Sequence, residues 1–148
     1  ISMYNLSNIF NKRFFSTNIR SHMKFSKEIT INGCSEYIFM KENFSQDFVK
    51  DNLKDKVIAT LGYGPQAMSQ SLNLRDNGHN VILGIRKSDN ANSSWQKALK
   101  DNWVPDENLF TIDEATNKGD IVQYLLSDAG QIDQWLNVKS NLKDDATL

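Results

Sequence analysis

Cysteine occurs once in this sequence, at Cys34, which excludes an intramolecular disulfide and any cluster built on several thiolates. With no partner thiol, the expectation for Cys34 is a buried, inert side chain. Histidine is almost as scarce. His22 and His79 are far apart and lack the spacing of a metal site, and His79, within Asp76-Asn77-Gly78-His79-Asn80, is expected on an exposed turn. No apolar run approaches the ~20 residues that a membrane-spanning helix needs, so no membrane span is expected. Acidic residues are missing from positions 1–27, which hold Lys12, Arg13, Arg20, Lys24 and Lys27. The remainder therefore sets 12 basic residues against 18 acidic ones, a net charge of −6 beneath the overall −1. An acidic body argues against a nucleic-acid partner, because phosphate binding wants a basic face.

The acid-free first segment is rich in hydroxyls and carries Leu6, Ile9, Phe10, Arg13 and Phe14 at helical spacing. That composition is expected of an organellar transit peptide, mitochondrial by preference, over residues 1–27; a basic disordered tail has the same one. Ile1 precedes Met3, which is the expected start, and the mature N-terminus is expected between Phe15 and Lys27.

Over the whole 148 residues, 39% hydrophobic and 24% charged content suits one globular domain at most, expected from residue 28 onward. Loose alternation from Glu28 to Phe39 predicts a short hairpin around Asn32-Gly33, and 44–53 predicts a weakly amphipathic helix. Apolar runs then alternate with helical patterns: strand 57–61, helix 66–77, strand 81–85, helix 94–101. Leu109-Phe110 leads into Thr111-Ile112-Asp113-Glu114, a capping box, with a short helix ending at Gly119. A third strand over 121–126, a helix over 131–138 and a further strand beginning at 146–148 complete the pattern. Strands separated by helices predict an α/β fold, a Rossmann-like parallel sheet with helices on both faces. Trp95, Trp103 and Trp135 are expected to pack helices on that sheet.

Chemistry concentrates at 62–78. The run Val57-Ile58-Ala59-Thr60-Leu61 feeds Gly62-Tyr63-Gly64-Pro65-Gln66-Ala67, which opens a helix, and that order makes G-x-G-x-x-G/A credible as a dinucleotide site. Gly62 allows the sharp turn, Gly64 allows backbone to approach a pyrophosphate, and Ala67 allows close helix–strand packing. The helix N-terminus offers free N–H groups and the positive end of its dipole to phosphates. A tight strand-to-helix turn that binds nothing reads the same way. An NAD site would place Asp or Glu at the end of the second strand. Here that strand ends in Arg86-Lys87-Ser88, which suits the 2′-phosphate of NADP; a solvated basic loop is the plain alternative. Ser93 and Ser94 offer hydroxyls or a helix cap. Ser127-Asp128 ends the third strand, where ligands of open sheets lie, and serves equally as a helix cap.

From Ile29 to Leu148 the sequence resembles the N-terminal domain of the ketol-acid reductoisomerases, the acetohydroxy-acid isomeroreductases of branched-chain amino-acid synthesis. The resemblance rests on Gly62-Tyr63-Gly64-x-Gln66 followed by Gln70-x-Leu72-Asn73-Leu74-Arg75-Asp76-Asn77-Gly78. It continues through Gly84-Ile85-Arg86-Lys87, Ser94-Trp95, Trp103-Val104-Pro105, Asn108-Leu109-Phe110 and Leu125-Leu126-Ser127-Asp128-Ala129-x-Gln131. It implies NADPH on Tyr63, Gly64, Pro65 and Gln66, with Arg86 and Ser94 at the 2′-phosphate and Asp128 to Gln131 on the nicotinamide side. It implies a small acetohydroxy-acid substrate, 2-acetolactate or 2-aceto-2-hydroxybutyrate, and two Mg²⁺ in the full-length enzyme. The expected location is the mitochondrial matrix. The sequence departs from the family pattern by Ala67 for the third glycine, by Pro65, which lacks a backbone donor beside the pyrophosphate, and by Gly130 for alanine. It also ends at Leu148, before the family's Ser-His-Gly-Phe segment and its metal-bearing helical domain, so no catalytic or metal residue is expected in it. A catalytically inactive short paralogue, serving as a structural or NADP-binding subunit of a homo-oligomer or larger mitochondrial assembly, is the alternative.

Overall fold

A computed structural model describes residues 26–148, so the expected transit segment lies outside the described residues apart from its last two positions. The chain divides into two compact units between Val49 and Lys50.

In the first unit, β1 (Ser26–Ile31) pairs antiparallel with β2 (Cys34–Phe39) in the register Ile31↔Cys34. Asn32 and Gly33 join them with φ of 50° and 81°, the paired left-handed conformations of a two-residue hairpin turn that asparagine and glycine tolerate. Cys34 is exposed, against the expectation of a buried thiol. A two-stranded ribbon has no interior, so alternation along it cannot bury one side. A single 3₁₀ turn (Lys41–Asn43) follows, and α1 (Gln46–Leu53) opens where Ser45 Oγ accepts from Phe48 N at 3.1 Å.

The second unit carries the four-stranded parallel sheet, in the order β5 (Leu109–Phe110), β4 (Val81–Gly84), β3 (Ile58–Leu61), β6 (Ile121–Tyr124). Every residue of β3 and β4 is buried, which is why both read as apolar runs, broken only by Thr60, whose hydroxyl donates to Gln123 Oε1 at 2.8 Å. Their side chains alternate between two cores. Ile58, Val81, Leu83 and Ile85 join Trp95, Trp103, Met68 and Leu72 on the face covered by α2 (Pro65–Asp76) and α3 (Ser94–Lys100). Ala59, Leu61, Ile82 and Val122 join Ile112, Ala115 and Val138 on the face covered by α4 (Ile112–Lys118) and α5 (Asp128–Asn141). The α/β sheet with helices on both faces is as expected.

The differences are local. β5 is a two-residue strand paired with β4 through Leu83↔Leu109 and Gly84↔Phe110, where the sequence suggested only a lead-in to a helix. β6 stops at Tyr124 because its partner β3 stops at Leu61. α5 starts at Asp128, three residues before expectation, because Ser127 Oγ accepts from Gly130 N at 3.3 Å and acts as the helix cap that the sequence offered as one of its two readings. Trp135 sets its ring against Tyr124 of β6 at 6.2 Å, helix on sheet as expected, but stays half exposed on α5 where Trp95 and Trp103 are buried. His79 is half-buried rather than exposed, with its backbone N–H on Leu74 O at 3.1 Å. The expected strand at the chain end begins as a parallel bridge between Thr147 and Ile121, on the edge of β6 away from β3.

Candidate functional site

A parallel sheet sends the C-terminal ends of its strands, and the loops that follow them, to one edge. Here β3, β4 and β6 release their chains around a cleft of about 790 Å³, within the range that holds cofactor-sized ligands. Its floor is the turn after β3. Gly62 has φ of +102°, and a Cβ there would stand 2.7 Å from the Leu125 carbonyl oxygen, so no other residue fits. Gly64 differs in kind. Its φ of −73° and ψ of 178° suit any residue, and a Cβ would meet no protein atom within 4 Å. The fold does not require glycine at 64, and the space above it opens on the cleft.

Gly64 is also the N-cap of α2. Of the four helices flanking the parallel sheet, α3, α4 and α5 are capped by the hydroxyls of Ser93, Thr111 and Ser127, whereas α2 has no side-chain cap and no acid in its first turn. Pro65 occupies the first helical position, where a missing N–H costs nothing. The backbone N–H groups of Gln66 and Ala67 are the first-turn donors that remain.

One wall of the cleft is the loop after β4, with Ile85, Arg86, Ser88, Ser93 and Ser94. The Arg86 side chain is 80% exposed and is the only cation among the lining residues. Lys87 points elsewhere, with Nζ 5.9 Å from the Trp95 ring centroid. The opposite wall is the end of β6 and the start of α5, with Leu125, Leu126, Ser127, Ala129, Gly130 and Asp133. Gln131 braces this wall from behind. Its Nε2 donates to the carbonyls of Leu126 at 3.0 Å and Tyr124 at 3.3 Å, and the Tyr124 hydroxyl donates to the Gln131 carbonyl at 2.6 Å.

Of the residues singled out in the sequence, the cleft thus gathers Gly62, Tyr63, Gly64, Arg86, Ser88, Ser93, Ser94 and Ser127. Pro65 and Gln66 are exposed on the first turn of α2, Asp128 is exposed on the first turn of α5, and Gln131 and Lys87 lie outside the lining. Tyr63 is only 5% exposed, and its hydroxyl is committed to the protein. It donates to Asp101 Oδ2 at 2.7 Å and accepts from Trp103 Nε1 at 3.0 Å. Burial, then the hydrogen bond to Asp101, pushes the phenol well above its ordinary range, so it stays neutral. Any contact from Tyr63 to a ligand in the cleft must come from its backbone. Sequence reasoning missed Asp133, since nothing in the α5 pattern says that it reaches across to the β4 loop.

No helix of the described residues is long and apolar enough to cross a membrane, and no group of three or more His, Cys, Asp or Glu side chains among them could hold a metal ion. The described residues therefore do not fit a two-metal centre.

The family model described as "Acetohydroxy acid isomeroreductase, NADPH-binding domain" matches residues 52–148. The mitochondrial ketol-acid reductoisomerase of Saccharomyces cerevisiae is 41% identical over 122 residues, covering 82% of this chain and 30% of the yeast protein. The ketol-acid reductoisomerase (NAD(+)) of Desulfosudis oleivorans is 44% identical over 115 residues, covering 78% of this chain and 32% of that protein. A solved structure of an NADH-preferring ketol-acid reductoisomerase from an uncultured archean superposes with a TM-score of 0.58 at 35% identity, over 70% of this chain and 30% of that one. The chain thus spans about a third of the length of the relatives it matches.

Proposed function

The chain belongs to the ketol-acid reductoisomerase (acetohydroxy acid isomeroreductase) family, and we propose that its cleft holds NADPH as the reductant for a 2-acetohydroxy acid. The observation that carries this reading is the turn at 62–64. Gly62 is demanded by the fold, Gly64 is not, and the space above Gly64 faces the one uncapped helix N-terminus beside the sheet. A pyrophosphate fits that combination, because it needs close backbone approach, free N–H donors and a positive dipole end. The N–H groups of Gln66 and Ala67 would hold it. Arg86 would take the 2′-phosphate with the hydroxyls of Ser88 and Ser94 beside it, and Ser127 and the backbone of 128–131 would border the nicotinamide. When bound, NADPH supplies a hydride; this chain's residues bind it, orient it and wall one side of it from water.

The rest of the reaction belongs to the longer protein that the relatives represent. The substrates proposed for that protein are 2-acetolactate and 2-aceto-2-hydroxybutyrate, with Mg²⁺ held by residues outside those described. A mitochondrial matrix location is proposed on the yeast relative and on the basic, acid-free first 27 residues. N-terminal sequencing of the organellar protein tests it; a mature start between Phe15 and Lys27 is the expected result.

The cofactor reading is tested by titrating the purified protein with NADPH and NADH, following nicotinamide fluorescence. NADPH is expected to bind more tightly. Arg86→Ala is expected to weaken NADPH roughly tenfold or more, the range for losing a charge-assisted hydrogen bond, and to leave NADH within about twofold. Absence of binding at millimolar nucleotide would overturn the reading.

A further inference from the structure

Arg86, the lone cation of the cleft, already faces an anion. Its Nη2 lies 3.9 Å from Asp133 Oδ2, and both groups line the cleft from opposite walls, Arg86 from the loop after β4 and Asp133 from α5. Asp133 is the only carboxylate in that lining. The same Oδ2 accepts from Gln134 Nε2 at 2.7 Å, which holds the carboxylate in orientation. The Arg86–Asp133 separation is too long for a hydrogen bond, and the side chains are 80% and 65% exposed. Both ions therefore keep their water, and parting them costs little.

We propose that Asp133 is a specificity-determining residue: an internal carboxylate that competes with the cofactor's 2′-phosphate for Arg86 and so limits the preference for NADPH over NADH. The inference rests on the cofactor reading above. A 2′-phosphate entering the β4 loop must draw Arg86 away from Asp133 and then stand within a few ångströms of that carboxylate, a like-charge approach. The ribose hydroxyls of NADH carry no charge at that position, so the Arg86–Asp133 pair can stay closed across the cleft. A cleft with its own anion facing the phosphate-binding cation is therefore a compromise between two cofactors. A site built for NADPH alone would leave Arg86 unopposed.

The test is a double-mutant cycle on nucleotide binding by the full chain, with Asp133→Asn, Arg86→Ala and both together, each titrated with NADPH and NADH at low salt and at 0.5 M salt. Asp133→Asn keeps the size and the Gln134 contact and removes the charge. It is expected to raise the NADPH-over-NADH preference about three- to fivefold at low salt, the scale of an exposed charge pair. The gain is expected to shrink at 0.5 M salt, where screening acts within a few ångströms. It should vanish in the Arg86→Ala background, and Asp133→Glu should restore the original ratio. A merely structural role would move both nucleotides equally and would be indifferent to salt. An Arg86-dependent NADPH preference that Asp133→Asn leaves unchanged would overturn this inference and spare the cofactor reading. A protein that binds neither nucleotide would overturn both.

Discussion

Between two glycines that shape the floor of the cleft sits a tyrosine that faces the other way. Tyr63 turns its ring into the core under α2 and α3, where its hydroxyl, the Asp101 carboxylate and the Trp103 indole form a chain of two hydrogen bonds. Arg75 closes the group, with Nη1 on the Asp101 carbonyl at 3.0 Å and its guanidinium 4.5 Å from the Trp103 ring centroid. The side chain anchors the turn while the flanking glycines present backbone to the cleft. Tyr63→Phe deletes one oxygen and leaves the buried Trp103 N–H without a partner, which costs about 1–3 kcal/mol. We expect urea unfolding to show that loss, with NADPH affinity unchanged within about twofold, since both hydrogen bonds of that hydroxyl go to protein groups. A large affinity loss with little change in stability would instead place the hydroxyl on the cofactor. The motif alone could not separate these roles, because G-x-G spacing constrains the backbone and says nothing of where the intervening side chain goes.

At the scale of elements, the edge of the sheet opposite the cleft is gathered by Asp120. Its carboxylate accepts from the Val57 N–H at 2.8 Å, just before β3, and from Lys143 Nζ at 2.7 Å, just after α5. Lys143 and then the Val57 N–H hold the carboxyl below the usual carboxylate range. The folded protein therefore binds fewer protons than the unfolded chain between that lowered value and the ordinary one near 4. Stability from this group is complete above about pH 4 and is lost as pH falls through the lowered value. Asp120→Asn should cost about 1–2 kcal/mol at pH 7, the scale of a hydrogen bond to a charged group, and the gap to wild type in thermal melts should narrow steadily toward pH 3. A gap that stays constant with pH would remove the charge from the account.

These elements also show what can be read without coordinates. β3 and β4 were legible because burial on both faces leaves an apolar run that no amphipathic helix produces, and α4 because Thr111 and Glu114 bond reciprocally across its first turn. β5 was not, since two residues carry no period. Cys34 went astray because a pattern marks a face as apolar without saying whether anything covers it, and for the same reason the half exposure of Trp135 could not be read. In the lining of the cleft, Gly62, Gly64 and Arg86 were legible because they lie directly after the strands that aim them. Asp133 could not, because 47 positions of sequence separate it from Arg86 and only the crossover geometry of β6 and α5 brings the two within 3.9 Å.

For the whole molecule, the question is how much chain the cleft depends on. Every residue of its lining, both cores of the parallel sheet and the Asp120 tie lie within Lys50–Leu148, and the family match begins at residue 52. The hairpin β1–β2 contributes to none of them. A chain beginning at Lys50 loses half of α1, a helix with no buried residue, and should still unfold cooperatively and bind NADPH within about twofold of the full protein. Its stability need not be high. The outer side of α5 leaves Ile132 and Leu136 about four-fifths exposed, and among the described residues the outer edge of β6 is engaged only at the Thr147 bridge, so apolar surface stays in water. Guanidinium unfolding followed by tryptophan fluorescence, with and without saturating NADPH, separates the two claims. Saturating nucleotide at a hundred times Kd should add about 2.7 kcal/mol to the short chain if the cleft is intact. A single transition without that gain would mean that the sheet folds but the cleft needs residues before Lys50. No cooperative transition at all would mean that the first unit is part of the folding unit.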